Sequence, residues 1–222
     1  MIVFVPFKGT SARVPNKNFR EFGGKPLWKH TVDKFKEVGT VHISTDVPAL
    51  EGTDDAVRVT QRPHHLAIGG VSMNIVIAHW LENNEGIPDD EPIAQIHVTT
   101  PFLQPDTVVR AASFYEYGAD SAVAVNTIKA RLWREEERPG GRVSVPLNHN
   151  PMLLEDTQNL PPVLAENSLF YIFTKGSFYD TNNRLGRHPW LCPVKFPENV
   201  DIDTLEDWKL AKSILEMMNA DS

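Results

Sequence analysis

The chain has 222 residues, 41% hydrophobic and 23% charged, which suits one globular domain with a full core and excludes a disordered or fibrous chain. A net charge of −7 excludes a global basic field for nucleic acid, so any anion must be met by a local cluster. The single cysteine, Cys192, excludes an intrachain disulfide and reads as a small buried hydrophobe, and no stretch approaches the roughly 20 apolar residues of a membrane span.

The opening "MIVFVPFKGT" lacks a charged leader before a short apolar run, so a first β-strand and a cytoplasmic location are expected rather than a signal peptide. Strands are expected at 2–5, 41–45, 57–60, 93–98, 121–125 and 168–174, all rich in β-branched and aromatic residues. Helices are expected between them. Trp28, Val32 and Phe35 recur at helical spacing, with Gly39 as a stop. Ser72 caps a stripe of Met73, Val76, Ile77, Trp80 and Leu81. Residues 105–117 form a third helix, ended by Gly118. Thr204 and Asp207 have capping-box spacing for a last helix with Trp208, Ala211, Leu215 and Met218 on its apolar stripe.

This alternation predicts an α/β fold with a mainly parallel sheet and helices on both faces, a single domain over 1–222. Ligands of such sheets bind beyond the carboxyl ends of the strands, so the informative residues lie in the loops after them. The stretch from Arg131 to about Ala165 breaks the rhythm. Its "PGG" turn and scattered prolines predict a hairpin and an arm, 131–165, outside the main sheet.

Directly after the first strand, "PFKGTSARVPNKN" (6–18) carries Lys8, Arg13 and Lys17 beside the small residues Gly9, Thr10 and Ser11, whose backbone N–H groups suit an anion. It matches neither Gly-x-x-x-x-Gly-Lys-[Ser/Thr] nor Gly-x-Gly-x-x-Gly, and a solvated polar loop remains an alternative. Near the other end, "DIDT" places Asp201 and Asp203 on one side of an extended segment. Two carboxylates side by side repel unless a cation lies between them, and hard oxygen ligands suit Mg²⁺ with phosphate oxygens completing its shell. The alternative is one Asp at a helix N-terminus and one in solvent. "STD" (44–46) follows the second strand and "QRPHHLA" (61–67) the third. There Arg62 offers a fork of donors for a base or phosphate, while His64 and His65 read as turn histidines. His97, at the end of an apolar strand, is either a ligand contact or a satisfied interior histidine. No nucleophile elbow or Ser–His–Asp order stands out.

The stretch "VPFKGTSARVPNKNFREFGGKPLWKHTV" resembles the opening of the acylneuraminate cytidylyltransferases, the CMP-sialic acid synthetase-like family, with its glycine-serine loop, Pro-x-Lys-Asn and Gly-Lys-Pro-Leu. "HISTD", "QRPHHLA", "TTPFL" and "DIDTLEDWKLA" follow in the family's order, so the resemblance spans essentially the whole chain. It implies a nucleotide-diphospho-sugar transferase-like (Rossmann-like) fold. It also implies attack by a sugar-acid hydroxyl on the α-phosphate of CTP, with Mg²⁺ as cofactor. By resemblance Lys8, Gly9, Ser11, Arg13, Lys17, Asn18 and Arg62 bind nucleotide, Asp201 and Asp203 hold metal, and Lys17, Asp201 and Asp203 carry catalysis. His97, Thr99 and Asn167 are the expected acceptor contacts, and 131–165 matches a dimerisation arm that caps the partner's site. The implied partners are CTP, a sugar acid and a second copy of the chain, with neither nucleic acid nor membrane.

The chain departs from the family pattern in places. The loop that usually reads Arg-Gly-Gly-Ser-Lys reads "KGTSA" here, with Lys8 for arginine and Ala12 for lysine. His97 stands where a substrate-contacting glutamine is usual, and Thr157 and Ala165 stand where the sialic-acid branch carries arginines. "TPFL" and "NSLFYIF" look more like the branch that acts on pseudaminic-type acids. A non-sugar acceptor such as a phosphonate, a glycosyltransferase using its Asp-x-Asp, and a non-catalytic nucleotide-binding homologue stay open.

Overall fold

The computed structural model describes residues 1–11, 13–48, 50 and 56–220; Ala12 lies outside them. In chain order its strands and helices are β1 (Ile2–Pro6), β2 (Glu21–Phe22), β3 (Lys25–Pro26), α1 (Leu27–Phe35), β4 (Thr40–Thr45), β5 (Val57–Gln61), α2 (Met73–Glu82), β6 (Pro92–Ile96), α3 (Pro105–Ala111), β7 (Ser121–Ile128), β8 (Trp133–Arg138), β9 (Gly141–Pro146), β10 (Val163–Thr174), α4 (Lys175–Thr181), β11 (Pro189–Pro193) and α5 (Leu205–Ala220).

Seven strands form one sheet in the order β11-β7-β10-β6-β1-β4-β5. Parallel pairing joins β6, β1, β4 and β5, and also β7 with β11; among these strands β10 alone runs antiparallel, between β6 and β7. The central strands are apolar on both faces because both are covered. Val3 and Val5 of β1 pack into one layer with Trp28, Val32 and Phe35 of α1 and Val108 and Ala111 of α3. Phe4 points the other way, to Val76, Ile77, Trp80 and Leu81 of α2, and its ring stacks on Trp80 at 4.3 Å. α5 builds a third cluster, in which Trp208, Ala211 and Ile214 meet Phe22, Leu27, Phe102 and Val14. The two-face alternation expected for a doubly covered sheet is therefore present, and no helix among the described residues is long and apolar enough to cross a membrane.

Local side-chain caps account for the starts of α2, α4 and α5. Ser72 accepts from Asn74 N at the start of α2. Thr204 and Asp207 bond reciprocally before α5, as their spacing predicts. Some element bounds and one stripe position differ from expectation. α3 stops at Ala111, and a 3₁₀ turn at Phe114–Tyr117 carries the chain to Gly118, whose φ of 69° is the left-handed stop. The expected strand 168–174 starts earlier, at Val163, with a register shift between Glu166 and Tyr171 where Ser168 adopts φ 60°. Met218 is 43% exposed, and Ile214 takes its place on the buried stripe of α5. Four elements, the short pair β2 and β3 together with α4 and β11, lie outside the expected set. Gly39 acts less as a helix stop than as a close approach, since a Cβ there would meet Met1 O at 2.4 Å.

The excursion forms the hairpin expected of it. β8 and β9 pair only with each other, through Gly140 and Gly141, both at positive φ. Glu136 on β8 bonds Arg138 at 2.9 Å and also Arg134. Beyond the hairpin Met152, Leu153 and Leu154 are 85%, 56% and 97% exposed.

Candidate active site

A cleft of about 700 Å³ opens beyond the carboxyl ends of β1, β5 and β6. Its walls come from the loop after β1, the segment 62–71, the N-terminal part of α2, the turn after β6, and Asp201 and Asp203. Lys8, Arg13, Lys17 and Arg62 outnumber the two carboxylates, so an acidic protein has a locally cationic cleft. That is the local cluster an anionic ligand needs.

The two ends of the chain meet on the cleft floor. Lys17 is 7% exposed, and its Nζ donates to Ile202 O at 2.5 Å and to Asp203 Oδ1 at 3.2 Å. Arg13 Nη1 lies 3.0 Å from Asp203 Oδ2, so one carboxylate is bracketed by two cations. Ile202 is fully buried in the α5 cluster, which turns its neighbours Asp201 and Asp203 to the cleft. Ile202 N also donates to Thr99 O at 2.9 Å, tying this segment to the turn after β6.

Asp201 is differently placed. Its Oδ1 is buried and has no hydrogen-bond partner among the described residues. Burial pushes its carboxyl above the usual range, and the charge on Asp203 adds to this, while a hydrogen bond from Thr99 and the charge of Lys17 pull it down. An orphaned carboxylate oxygen beside a second carboxylate is a donor set that fits a hard cation. Among the described residues no set of three or more His, Cys, Asp or Glu side chains gathers to hold an ion. Two carboxylates with the remaining positions left to phosphate oxygens and water is the pattern Mg²⁺ uses.

The loop after β1 is pinned from behind. Asn18, 8% exposed, donates from Nδ2 to Lys8 O at 2.8 Å. Gly9 N donates to Asp46 Oδ1 at 2.9 Å, and a Cβ on Gly9 would meet Val47 Cγ2 at 2.9 Å. Gly9 is therefore a close-approach residue whose N–H is engaged with Asp46, and it does not line the cleft, whereas Lys8, Thr10 and Ser11 do. Arg62 is 3% exposed; Nη2 donates to Phe7 O at 2.7 Å, and Nε has no partner among the described residues. Burial lowers its pKa, against the charge of Asp46.

Of the expected acceptor contacts, His97 and Thr99 line the cleft. Asn167 does not. Its Nδ2 donates to Asn126 Oδ1 at 3.0 Å and its Oδ1 accepts from Leu169 N, leaving Ser168 at the wall. The segment 64–71 was missed as a wall: His64, Leu66, Ala67, Ile68, Gly69 and Val71 line the cleft. Arg-Pro at 62–63 was the available signal, since a cation directly after a strand marks the carboxyl-end rim.

Comparison with solved structures places this architecture among nucleotide-diphospho-sugar transferase folds. CMP:2-keto-3-deoxy-manno-octonic acid synthetase, solved in complex with CTP, superposes with a TM-score of 0.63 at 13% identity, covering 98% of each chain. A 4-diphosphocytidyl-2C-methyl-D-erythritol synthase superposes with a TM-score of 0.58 at 14% identity, covering 96% of this chain and 98% of that one. The family model described as Cytidylyltransferase matches residues 2–217, and the chain belongs to that family. The N-acylneuraminate cytidylyltransferase of Oncorhynchus mykiss is 28% identical over 213 residues, 92% of this chain but 48% of that protein, so the chain spans about half the length of this relative. CMP-N,N'-diacetyllegionaminic acid synthase of Legionella pneumophila is 24% identical, and there 98% of this chain covers 97% of the relative.

Proposed function

We propose that this protein transfers the cytidylyl group of CTP to a hydroxyl of a nonulosonic, sialic- or pseudaminic-type sugar acid, releasing pyrophosphate and requiring Mg²⁺. The observation that carries this reading is the bracketed pair on the cleft floor: Asp203 between Lys17 and Arg13, beside Asp201 with its orphaned oxygen. The family and the names of the two relatives support CTP and a sugar acid as the substrates.

Nucleotidyl transfer asks for positioning and charge neutralisation more than for covalent help. Lys8, Arg13, Lys17 and Arg62 supply cations along the triphosphate, and Thr10 and Ser11 line the same cleft. Asp201 and Asp203 are the carboxylates that would hold Mg²⁺. When bound, that ion would neutralise charge on the transferring and departing phosphates. His97 and Thr99 line the cleft on the turn after β6, in the part we assign to the acceptor.

We also propose that a second copy of the chain covers the arm. Met152, Leu153 and Leu154 are exposed large apolar side chains of the kind an interface covers, and Trp133 (50% exposed) and Leu164 (39%) are exposed as well.

The deciding experiment is pyrophosphate release with CTP, Mg²⁺ and a panel of nine-carbon and eight-carbon sugar acids, with ATP, GTP and UTP as controls. Release with CTP and one acid is expected. Silence across the panel from folded, CTP-binding protein would overturn the sugar-acid reading.

A further inference from the structure

Gln95 is fully buried (0% exposed) in the middle of an apolar strand, β6. A buried amide needs partners, and Gln95 has two. Its Oε1 accepts from Arg184 Nη1 at 3.1 Å, and its Nε2 lies 3.0 Å from His97 Nε2. Arg184 arrives from the loop after α4. Its guanidinium carbon lies 3.5 Å from the centroid of the Tyr171 ring, and Tyr171 in turn donates its hydroxyl to Glu166. Asn74 on α2 anchors the same loop, accepting from Arg184 N at 3.3 Å and donating to Asn183 Oδ1 at 3.1 Å.

The direction of each proton follows from the first donor. A guanidinium has donors only, so the Gln95 atom facing it is the oxygen. The atom facing His97 is then the amide nitrogen, which only donates. His97 Nε2 must accept with its lone pair, so the ring proton sits on Nδ1. A doubly protonated ring would set two donors against each other. Burial, Arg184 and Lys17 act in the same sense and hold the pKa of His97 down to about 4, against the opposing charge of Asp203. The backbone is fixed as well, because Thr100 Oγ1 donates to His97 O at 2.8 Å.

We propose that Arg184 and Gln95 are positioning residues that hold His97 as the neutral Nδ1–H tautomer, so that the group His97 offers the cleft is a hydrogen-bond donor set before any substrate arrives. The matching ligand group is an oxygen acceptor, such as a carboxylate or carbonyl oxygen of the acceptor molecule; an ammonium or other pure donor is rejected. The inference rests on the acceptor reading of the cleft only for the identity of that ligand.

The test is ¹⁵N NMR of protein labelled at histidine, correlating ring nitrogens with ring carbon-bound protons, with His97→Gln to assign the signal. A protonated Nδ1 and a bare Nε2 at neutral pH are expected. A proton on Nε2, or on both nitrogens, overturns the proposal. Arg184→Met removes the donor that orients Gln95, and a loss of the Nδ1–H preference is expected; an unchanged tautomer overturns the relay. Should that variant fail to fold, Gln95→Glu serves instead. Its carboxylate accepts on both sides, so the proton is expected to move to Nε2, and an unmoved proton counts against the relay. None of these readouts needs a substrate. An Nδ1–H His97 in a protein silent on every sugar acid would support the relay while sinking the sugar-acid function.

Discussion

Lys17 Nζ lies 3.2 Å from Asp203 Oδ1, across 186 residues of sequence. Lys17 also holds Ile202 O, so removing the Asp203 charge leaves the lysine anchored. Asp203→Asn is therefore expected to stay folded and to lower kcat/KM by about a hundredfold or more, the usual scale for losing one charge-stabilising group. Thermal melts and pyrophosphate release, run side by side, check this. A near-normal rate would count against the cleft-floor assignment.

Asp201 gives a test that needs no turnover. Its orphaned oxygen and the repulsion from Asp203 cost stability when no cation is bound. Asp201→Asn relieves the repulsion, and if the relief is worth about 1 kcal/mol the melting temperature of the free protein rises by about 2 to 4 °C. The same variant is expected to need about tenfold more Mg²⁺ for activity, or roughly 1.4 kcal/mol of binding, and chelation should silence the wild type. A lowered melting temperature would show that Asp201 has a structural role.

Acid should destabilise the fold through two histidines whose pKa values are held down. His42 is 2% exposed, and burial, with the charge of Arg58, pushes its pKa down to about 4 against a partial counter-pull from Asn84. His97 is likewise held at about 4. Both are neutral in the fold and take up protons near 6.5 when unfolded. Between those values the unfolded chain binds more protons, so stability rises with pH and falls as pH drops, by up to about 1.4 kcal/mol per pH unit per group. Denaturant midpoints at pH 7 and pH 5 measure this. His42→Gln should narrow the gap between the two midpoints; an unchanged gap would remove His42 from the account.

The arm predicts concentration-dependent assembly. Leu154 is almost wholly exposed in the single chain, so Leu154→Glu should leave the melting temperature of a monomer unaltered while weakening self-association. Light scattering over a dilution series checks the point. A wild-type protein that stays monomeric at every concentration would refute the second-copy proposal.

The sequence made the central strands legible because Val3, Phe4 and Val5, or Phe170 through Phe173, are continuous apolar runs that only a doubly covered sheet buries. It made the floor legible because Lys17 and Asp203 sit in short, chemically dense stretches. β11 was hidden because Pro189 and Pro193 bracket it and an edge strand tolerates prolines that a central one does not. α4 was hidden because Gly176 falls inside a short helix that owes its start to the reciprocal Thr174–Ser177 cap. The Gln95–Arg184 contact could not be read at all: 89 residues separate the pair, and no local periodicity couples a polar strand residue to a distant loop.

The stitching of residues 13–18 to 201–203 also orders events during synthesis. While a ribosome is still making the second half, the loop after β1 has neither Asp203 to neutralise Arg13 nor Ile202 O to hold Lys17. Phe22 and Leu27 likewise wait for Trp208 and Ile214. The nascent chain can assemble most of its sheet and still lack a floor for its cleft, which closes only as α5 emerges. The cleft floor is thus incomplete until residues 201–203 and α5 have been translated.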